Sequence, residues 1–293
     1  MPQLREGVPA LIHRNLKIPP PPECSIEVEP KLTDLLVRMV HISDTHVSKF
    51  GHFMEHLFDK AIKEINRLDP KPDIVVHSGD LTDNGVLPDY ELAFEKINSI
   101  DVRVVVAPGN HDERNYGHSL FKEIIGPMDY EERVGKTAIF VMNSPEPDRD
   151  DGRLGRRRQE FLDSRLRALP NDVVKVVVFH HHLIPVPHSG RETSVLEDAG
   201  DILEMVLDRN VDFVLMGHRH VGRALKMQST MLINAGTVSS IRTRGRLGHS
   251  YNVIDLFSDG TVSITERNMD ENKEVKKVFR AYPEVLGKGQ GGG

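Results

Sequence analysis

The chain has 293 residues, a formal net charge of −6 and a single cysteine, Cys24. One cysteine excludes an intramolecular disulfide framework, and the acidic balance argues against a dedicated nucleic-acid binder, which usually has a strongly basic face. The hydrophobic fraction of 38% is enough for a sizeable core, and no apolar stretch approaches the ~20 residues of a membrane helix. These features predict a soluble, cytoplasmic protein without a membrane partner.

The two ends of the chain differ in composition from its middle. Residues 1–36 include the run Pro19–Pro22, which favours polyproline II, so we interpret them as a Pro-rich leader. The leader is either an arm that lies on the domain or a dimerisation arm, which would make the protein a homodimer. Residues 284–293 are Gly-rich and are predicted to be disordered. Residues 37–283 remain as the folded domain.

Strands and helices alternate through this domain. Short runs rich in Val and Ile, apolar on both faces, are typical of strands that are covered on each side. The predicted strands are Leu36–Ile42, Ile74–His77, Val102–Ala107, Thr137–Met142, Val173–Phe179, Phe213–Leu215 and Thr230–Ile233, with a hairpin of Tyr251–Phe257 and Thr261–Glu266. The predicted helices are His52–Leu68, Asp89–Ser99, Gln159–Ala168 and Asp201–Asp208. The alternation indicates an α/β fold.

Five short polar segments each follow an apolar run. They are Asp44-Thr45-His46, Gly79-Asp80, Gly109-Asn110-His111-Asp112, His180-His181-His182 and Gly217-His218-Arg219-His220. Loops that leave parallel strands converge at one rim of a sheet, so the segments can meet in one cleft. Carboxylate oxygens and imidazole nitrogens together suit divalent metals of intermediate hardness. The pattern predicts a centre of two metal ions, which Asp80 is the best candidate to bridge, because a carboxylate has two oxygens.

The five segments resemble the pattern of the calcineurin-like metallophosphoesterase family, D-x-H, G-D, G-N-H-D/E, H and G-H-x-H, over residues 38–257. The resemblance implies a four-layer α-β-β-α sandwich of two mixed β-sheets flanked by helices. It also implies two sets of metal ligands that share Asp80. The first set is Asp44, His46, Asp80 and His220. The second set is Asp80, Asn110, His180 and His218. Mn, Fe and Zn all accept such ligands.

Three consecutive histidines leave the fourth segment ambiguous. His180 is the first polar residue after its strand, so we place the ligand there, with His182 as the alternative. Neighbouring side chains point to opposite sides of an extended backbone, so we expect His181 to point away.

His111 is the candidate catalytic residue, because it follows Asn110 and would lie near the metals without binding one. A histidinium at this place would stabilise phosphoryl oxygens and protonate the departing alkoxide. The resemblance implies that Asp83 orients the His111 ring and raises its pKa, and Asp112 is a second candidate for that role. Paired metals lower the pKa of the water between them, so we expect attack on phosphorus by hydroxide.

Hydrolysis of a small phosphodiester is the function that the sequence favours. Residues 79–84 and the following Tyr90 resemble the cyclic-nucleotide phosphodiesterase branch, and a glycerophosphodiester would suit the same metals. The nearest rival is a phosphomonoesterase, although Asn84-Gly85 stands where protein phosphatases of this fold have Arg-Gly. A non-catalytic protein-binding scaffold is the third hypothesis. The basic run Arg153–Arg158 is either a solvated helix start or a contact for substrate phosphate.

Overall fold

The computed structural model describes residues 34–51, 53–190, 195–245 and 247–280. The predicted Gly-rich tail, Cys24 and the predicted leader apart from residues 34–36 lie outside the described residues. Within the described part of the chain, no helix combines the length and the apolar character that a membrane span needs.

The described residues form strands, helices and short turns in an alternating order. The strands are β1 (Leu35–Ile42), β2 (Ile74–His77), β3 (Val104–Val106), β4 (Tyr130–Val134), β5 (Thr137–Val141), β6 (Val174–Val178), β7 (Phe213–Met216), β8 (Arg223–Met227), β9 (Thr230–Asn234), β10 (Ser250–Phe257), β11 (Val262–Asn268) and β12 (Lys273–Phe279). The helices are α1 (Glu55–Asn66), α2 (Leu87–Asn98), α3 (Gly117–Leu120), α4 (Gly155–Arg167) and α5 (Ala199–Asp208). A 3₁₀ turn (Arg114–Tyr116) precedes α3 and a π-helical turn (Phe121–Ile125) follows it.

The strands form two six-stranded sheets, in the orders β12-β11-β10-β1-β2-β3 and β4-β5-β6-β7-β9-β8. Strands β1, β2 and β3 are parallel in the first sheet, and β5, β6, β7 and β9 are parallel in the second. The remaining pairs are antiparallel. Both sheets are therefore mixed, and each has a parallel part whose loops leave at one end.

Three apolar clusters define four layers. One cluster joins the first sheet to α1 and α2 and includes Val40 and Phe58. A second joins the two sheets and includes Met39 and Leu215. The third joins the second sheet to α4 and α5 and includes Leu162. Met39 and Val40 are neighbours in β1 but enter different clusters, because successive side chains of a strand point to opposite faces. The four-layer α-β-β-α sandwich implied by the sequence is confirmed.

The sequence missed three strands, and all of them are sheet edges. Strands β4, β8 and β12 have the sequences YEERV, RALKM and KEVKKVF, and each lies at the end of its sheet. Charged residues are common on edge strands, because they discourage pairing with other chains. Such strands lack the apolar pattern that predicted the central ones.

Candidate metal centre

The five polar segments lie at one rim, where loops from both sheets meet. Three of them follow the parallel strands β1, β2 and β3, and the other two follow β6 and β7. Glycine is required where these loops touch. A Cβ on Gly79, whose φ is +101°, would lie 2.6 Å from Nδ1 of His180. His180, which follows a strand of the other sheet, is the group that the Gly79 backbone approaches.

The first predicted ligand set forms one compact cluster. His46 Nε2 lies 3.1 Å from His220 Nε2, 3.6 Å from Asp80 Oδ2 and 4.0 Å from Asp44 Oδ1. His220 Nε2 lies 3.2 Å from Asp44 Oδ1. One ligand atom from each of the four residues lies within 4.8 Å of the others. All four residues are buried.

The second predicted set lies on the other side of Asp80. His180 Nε2 is 3.3 Å from Asp80 Oδ2, 3.1 Å from Asn110 Oδ1 and 3.2 Å from His218 Nδ1. Asp80 Oδ2 therefore lies near histidines of both sets, whereas its Oδ1 accepts a hydrogen bond of 2.8 Å from the backbone N–H of His111. A single oxygen of Asp80 therefore faces both clusters.

The chemistry of the donor atoms fits metal ions. His46, His180 and His220 each direct one nitrogen to an oxygen outside the cluster: Asp83 Oδ1 at 3.1 Å, Ser78 O at 2.9 Å and Arg242 O at 2.6 Å. Those nitrogens donate, so in a neutral ring the nitrogen that faces the cluster carries a lone pair. The facing lone pairs of His46 and His220 repel each other unless a cation lies between them.

The carboxylates of the centre also favour positive charge nearby. Asp44 Oδ1 is buried and accepts no hydrogen bond from the residues that the structure describes, which is costly for a charged oxygen. Burial lowers the pKa of His180, but Asp80 and Asp44 outweigh it and raise that pKa to about 9. The negative potential that favours a proton on His180 also favours a metal cation beside it.

The backbone of the centre is strained. A left-handed φ, between 47° and 69°, occurs at five of the predicted ligands: Asp44, His46, Asp80, His218 and His220. Such a conformation costs roughly 1–3 kcal/mol per residue and persists only where the surroundings enforce it. Here Thr237 Oγ1 donates to Asp44 O at 2.6 Å, and Ser239 Oγ donates to Thr45 O at 2.8 Å. The segment after β9 therefore holds the first motif in its strained turn.

His111 lies beside the first cluster, with its ring centroid 4.5 Å from that of His46 and the ring planes at 88°. Its Nδ1 donates to the backbone oxygen of Asp83 at 2.7 Å and lies 3.3 Å from Asp83 Oδ1. Burial lowers the pKa of His111, but the carboxylates of Asp80 and Asp83 raise it above its ordinary value. A raised pKa favours the protonated form of His111, which is the form that a general acid needs.

Asp83 contacts two histidines rather than one. Its Oδ1 accepts from His46 Nδ1 as well as lying close to His111. Hydrogen bonds from His111 and His46 hold the pKa of Asp83 far below its usual range. The sequence assigned Asp83 to His111 alone. The contact with His46 is new, and it fixes which His46 nitrogen faces the first cluster.

Asp112 has a different position from the one considered in the sequence. Its buried carboxylate accepts from the backbone N–H groups of Leu81, Thr82 and Gly109 at 2.8–3.0 Å. Burial and the nearby Asp80 raise its pKa to about 6. Asp112 thus ties the loop after β2 to the loop after β3, and its carboxylate hydrogen-bonds to these loops rather than to the His111 ring.

The three consecutive histidines have three different surroundings. His180 lies in the second cluster, as described above. His181 Nδ1 lies 2.9 Å from Ser144 Oγ, and its Nε2 donates to Asp150 O at 3.1 Å. The His182 ring stacks on His218 at 5.9 Å with an interplanar angle of 20°. The ring of His181 is also only 4.7 Å from His218, because residues 180–182 lie beyond β6 and do not follow strand alternation.

The basic run at the start of α4 is engaged in ion pairs. Arg153, Arg156 and Arg158 pair with Glu146, Glu160 and Asp129 at 2.6–3.1 Å. These contacts favour the solvated helix start over a phosphate contact.

Sequence reasoning missed several side chains that position the centre, namely Ser239, Arg114 and Asp150. Asp150 Oδ1 accepts from Asn110 Nδ2 at 3.1 Å. No local pattern distinguishes Asp150 from the other acidic residues of 146–151, because its role depends on a contact across 40 positions of sequence.

The two mixed sheets and the buried His/Asp clusters at their common rim define a metallophosphoesterase fold with a candidate dinuclear centre. Residues 37–222, more than half of the chain, match the calcineurin-like phosphoesterase family. The chain belongs to this family.

Named relatives include two phosphodiesterases. The chain is 31% identical over 159 residues to a probable glycerophosphodiester phosphodiesterase, GpdQ, of Arcobacter nitrofigilis; the match covers 49% of this chain and 56% of the relative. It is 24% identical over 267 residues to the 3',5'-cyclic adenosine monophosphate phosphodiesterase CpdA of Pseudomonas aeruginosa, covering 82% of this chain and 92% of the relative. The match to GpdQ therefore spans only about half of that protein's length.

A solved structure shares the fold. The purple acid phosphatase PPD1 of yellow lupin superposes with a TM-score of 0.69 at 16% identity, over 85% of this chain and 55% of that protein.

Gly109 offers a test of how closely the loops must approach. A Cβ at this position would lie 2.1 Å from Asp80 N and 2.2 Å from Asp80 Oδ1, so we expect Gly109→Ala to displace Asp80 and to lower both the melting temperature and Mn²⁺ binding. Gly200→Ala is the matched control, because a Cβ there meets nothing within 4 Å. Gly200 lies in α5, where alanine should stabilise by up to about 1 kcal/mol. Equal behaviour of the two variants would refute the close approach.

Glu113 predicts a pH dependence of stability. It is 1% exposed, and its burial raises the pKa from 4.5 to about 7. The folded protein therefore holds this proton more tightly than the unfolded chain. The contribution of this proton to the free energy of unfolding is complete below the pKa of Glu113 in the unfolded chain. It is lost as the pH rises through the folded-state pKa of about 7.

Glu113→Gln removes the titrating group, so we expect its stability to fall less than that of the wild type between about pH 5 and about pH 8, by on the order of 2 kcal/mol. Chemical denaturation of both proteins at the two pH values measures the difference. Parallel pH dependences would contradict the assignment.

Proposed function

We propose that this protein is a dinuclear metal-dependent phosphodiesterase that hydrolyses a small phosphodiester, either a cyclic nucleotide or a glycerophosphodiester. The observation that carries the proposal is the position of Asp80 Oδ2, which lies 3.6 Å from His46 Nε2 and 3.3 Å from His180 Nε2. One carboxylate oxygen shared by two imidazole clusters suits a pair of adjacent cations. The two named relatives, both diesterases, support the choice of substrate class.

In this proposal, Asp44, His46, Asp80 and His220 hold one metal ion, and Asp80, Asn110, His180 and His218 hold the other. Mn, Fe and Zn are all compatible with the ligands. When bound, the ions would supply Lewis-acid stabilisation of phosphoryl oxygens and a hydroxide nucleophile near neutral pH. Two divalent cations carry more charge than Asp44 and Asp80 return, so the centre attracts a phosphate ester although the protein is acidic.

His111 is the proposed general acid. Asp83 holds its Nδ1 through the backbone oxygen at 2.7 Å, which leaves Nε2 to protonate the departing alkoxide. Asp83 also binds His46 Nδ1 at 3.1 Å. The same residue therefore fixes a metal ligand and the acid relative to each other, which is the kind of preorganisation that phosphoryl transfer requires.

The test of the proposed function is a comparison of substrates with the Mn²⁺-loaded protein. We expect faster hydrolysis of bis(p-nitrophenyl) phosphate than of p-nitrophenyl phosphate, followed by turnover of either 3',5'-cyclic AMP or a glycerophosphodiester. Much faster monoester hydrolysis would make the protein a phosphomonoesterase. Protein that retains no metal after desalting and gains no activity on its addition would be a non-catalytic scaffold.

The role of His111 has its own prediction. His111→Ala should bind Mn²⁺ like the wild type but lose turnover of a diester with a poor leaving group by roughly 10²–10⁴-fold, because it lacks the acid. The reference variant is Asp80→Ala, which should lose both the paired metals and nearly all turnover. Full activity of His111→Ala on such a substrate would rule out its role as the acid.

A further inference from the structure

A hairpin rich in acidic residues contacts two of the segments that form the second cluster. Residues 145–152, with the sequence PEPDRDDG, are named the acidic hairpin. Pro145 pairs with Gly152 at its base, and Arg153 N donates to Ser144 O at 2.8 Å. Ser144 Oγ in turn accepts from the backbone N–H of His180 at 3.2 Å. The base of the acidic hairpin is therefore fixed to the loop that carries His180.

The tip of the acidic hairpin contacts the segment that carries Asn110 and His111. Asp148 Oδ1 accepts from the backbone N–H of Asn115 at 2.9 Å. Asp150 Oδ1 accepts from Asn110 Nδ2 at 3.1 Å and from the Arg114 guanidinium at 2.6 Å. Two carboxylates of one hairpin thus hold both ends of residues 110–115.

The contact with Asp150 decides which way the Asn110 amide faces. With Nδ2 donating to Asp150, Oδ1 faces His180 Nε2 and His218 Nδ1, each at 3.1 Å. A flipped amide would place its oxygen against the Asp150 carboxylate and its N–H₂ group towards the cluster. The first arrangement gains a charge-assisted hydrogen bond, and the second brings two acceptors together.

The orientation of Asn110 matters because the second ligand set carries less negative charge than the first. The first set contains two carboxylates, Asp44 and Asp80, whereas the second shares Asp80 and otherwise consists of neutral donors. A cation in the second set therefore depends strongly on each neutral oxygen or nitrogen that faces it.

The geometry points to Asp150 as a positioning residue that sets the affinity of the second metal site by orienting Asn110. This inference rests on the proposed dinuclear centre and adds to it a residue outside the family pattern. Arg114 supports the same arrangement, because its guanidinium binds the Asp150 oxygen that Asn110 uses. The backbone oxygen of Asp150 also accepts from His181 Nε2 at 3.1 Å, so the residue is held from two sides.

The experiment is calorimetric titration of the metal-free full chain with Mn²⁺. We expect Asp150→Ala to weaken the second binding step by about tenfold and to leave the first unchanged. This is the lower end of the 10–100-fold effect typical of groups that orient metal ligands, because the Asp150 side chain is 73% exposed. Asp150→Asn should lose less affinity than Asp150→Ala, because an amide oxygen can still accept from Asn110.

Asp151→Ala is the matched control. Asp151 is the neighbouring carboxylate of the acidic hairpin but binds Arg149, at 2.8 Å, instead of the Asn110 segment. The Asp151→Ala protein should bind both equivalents of Mn²⁺ with wild-type affinity. The melting temperatures of all variants report whether they fold. Wild-type affinity in Asp150→Ala, an equal loss in both steps, or the same loss in Asp151→Ala would overturn the inference.

Metal titration also separates this inference from the proposed function. A wild type that binds two equivalents but hydrolyses no phosphodiester would refute the function while the role of Asp150 stands. A wild type that binds fewer than two equivalents would refute both.

Discussion

Asp80 lies between two groups of imidazoles, and its burial is the constraint on which the centre depends. Its side chain is 3% exposed, and its Oδ2 faces histidines of both sheets. Burial alone would raise the pKa of this carboxyl group, but neighbouring histidines hold it well below its usual range. A carboxylate kept ionised without water needs positive charge close by, which protonated imidazoles or metal cations can supply. The donor nitrogens around it are oriented for cations.

The architecture of the domain supports this concentration of charge. Parallel strands of two sheets deliver their loops to a common rim, so residues from 44 to 220 can converge without a long excursion of the chain. The convergence requires strained backbone at Asp44 and Asp80 and a glycine where Gly109 meets Asp80. The hydrogen bond from Thr237 Oγ1 to Asp44 O holds the first of these loops in its strained conformation. The hydrogen bond from the Leu81 N–H to Asp112 holds the second. The stability of the sandwich therefore maintains a geometry that the isolated loops would not keep.

Apolar central strands and charged edge strands differed in how well the sequence predicted them. The strand Ile74–His77 was predicted with its observed bounds, because it is apolar on both faces and covered by other layers. The edge strands β4, β8 and β12 were missed, because their charged residues resemble those of loops. The family resemblance implied ligand sets whose members prove to be close neighbours. The roles of those residues remain predictions, and the metal-binding and kinetic measurements address them.

The sequence by itself determined the fold class, the family and the residues of the two clusters, because each motif is a local pattern fixed to the end of a strand. Only the tertiary structure decided how those residues are held. Asp83 contacts His46 as well as His111, Asp112 binds loop backbone, and Asp150 reaches Asn110. These contacts join segments that are 28–40 positions apart, and their partners are set by how loops from different strands pack. No pattern within one loop carries that information.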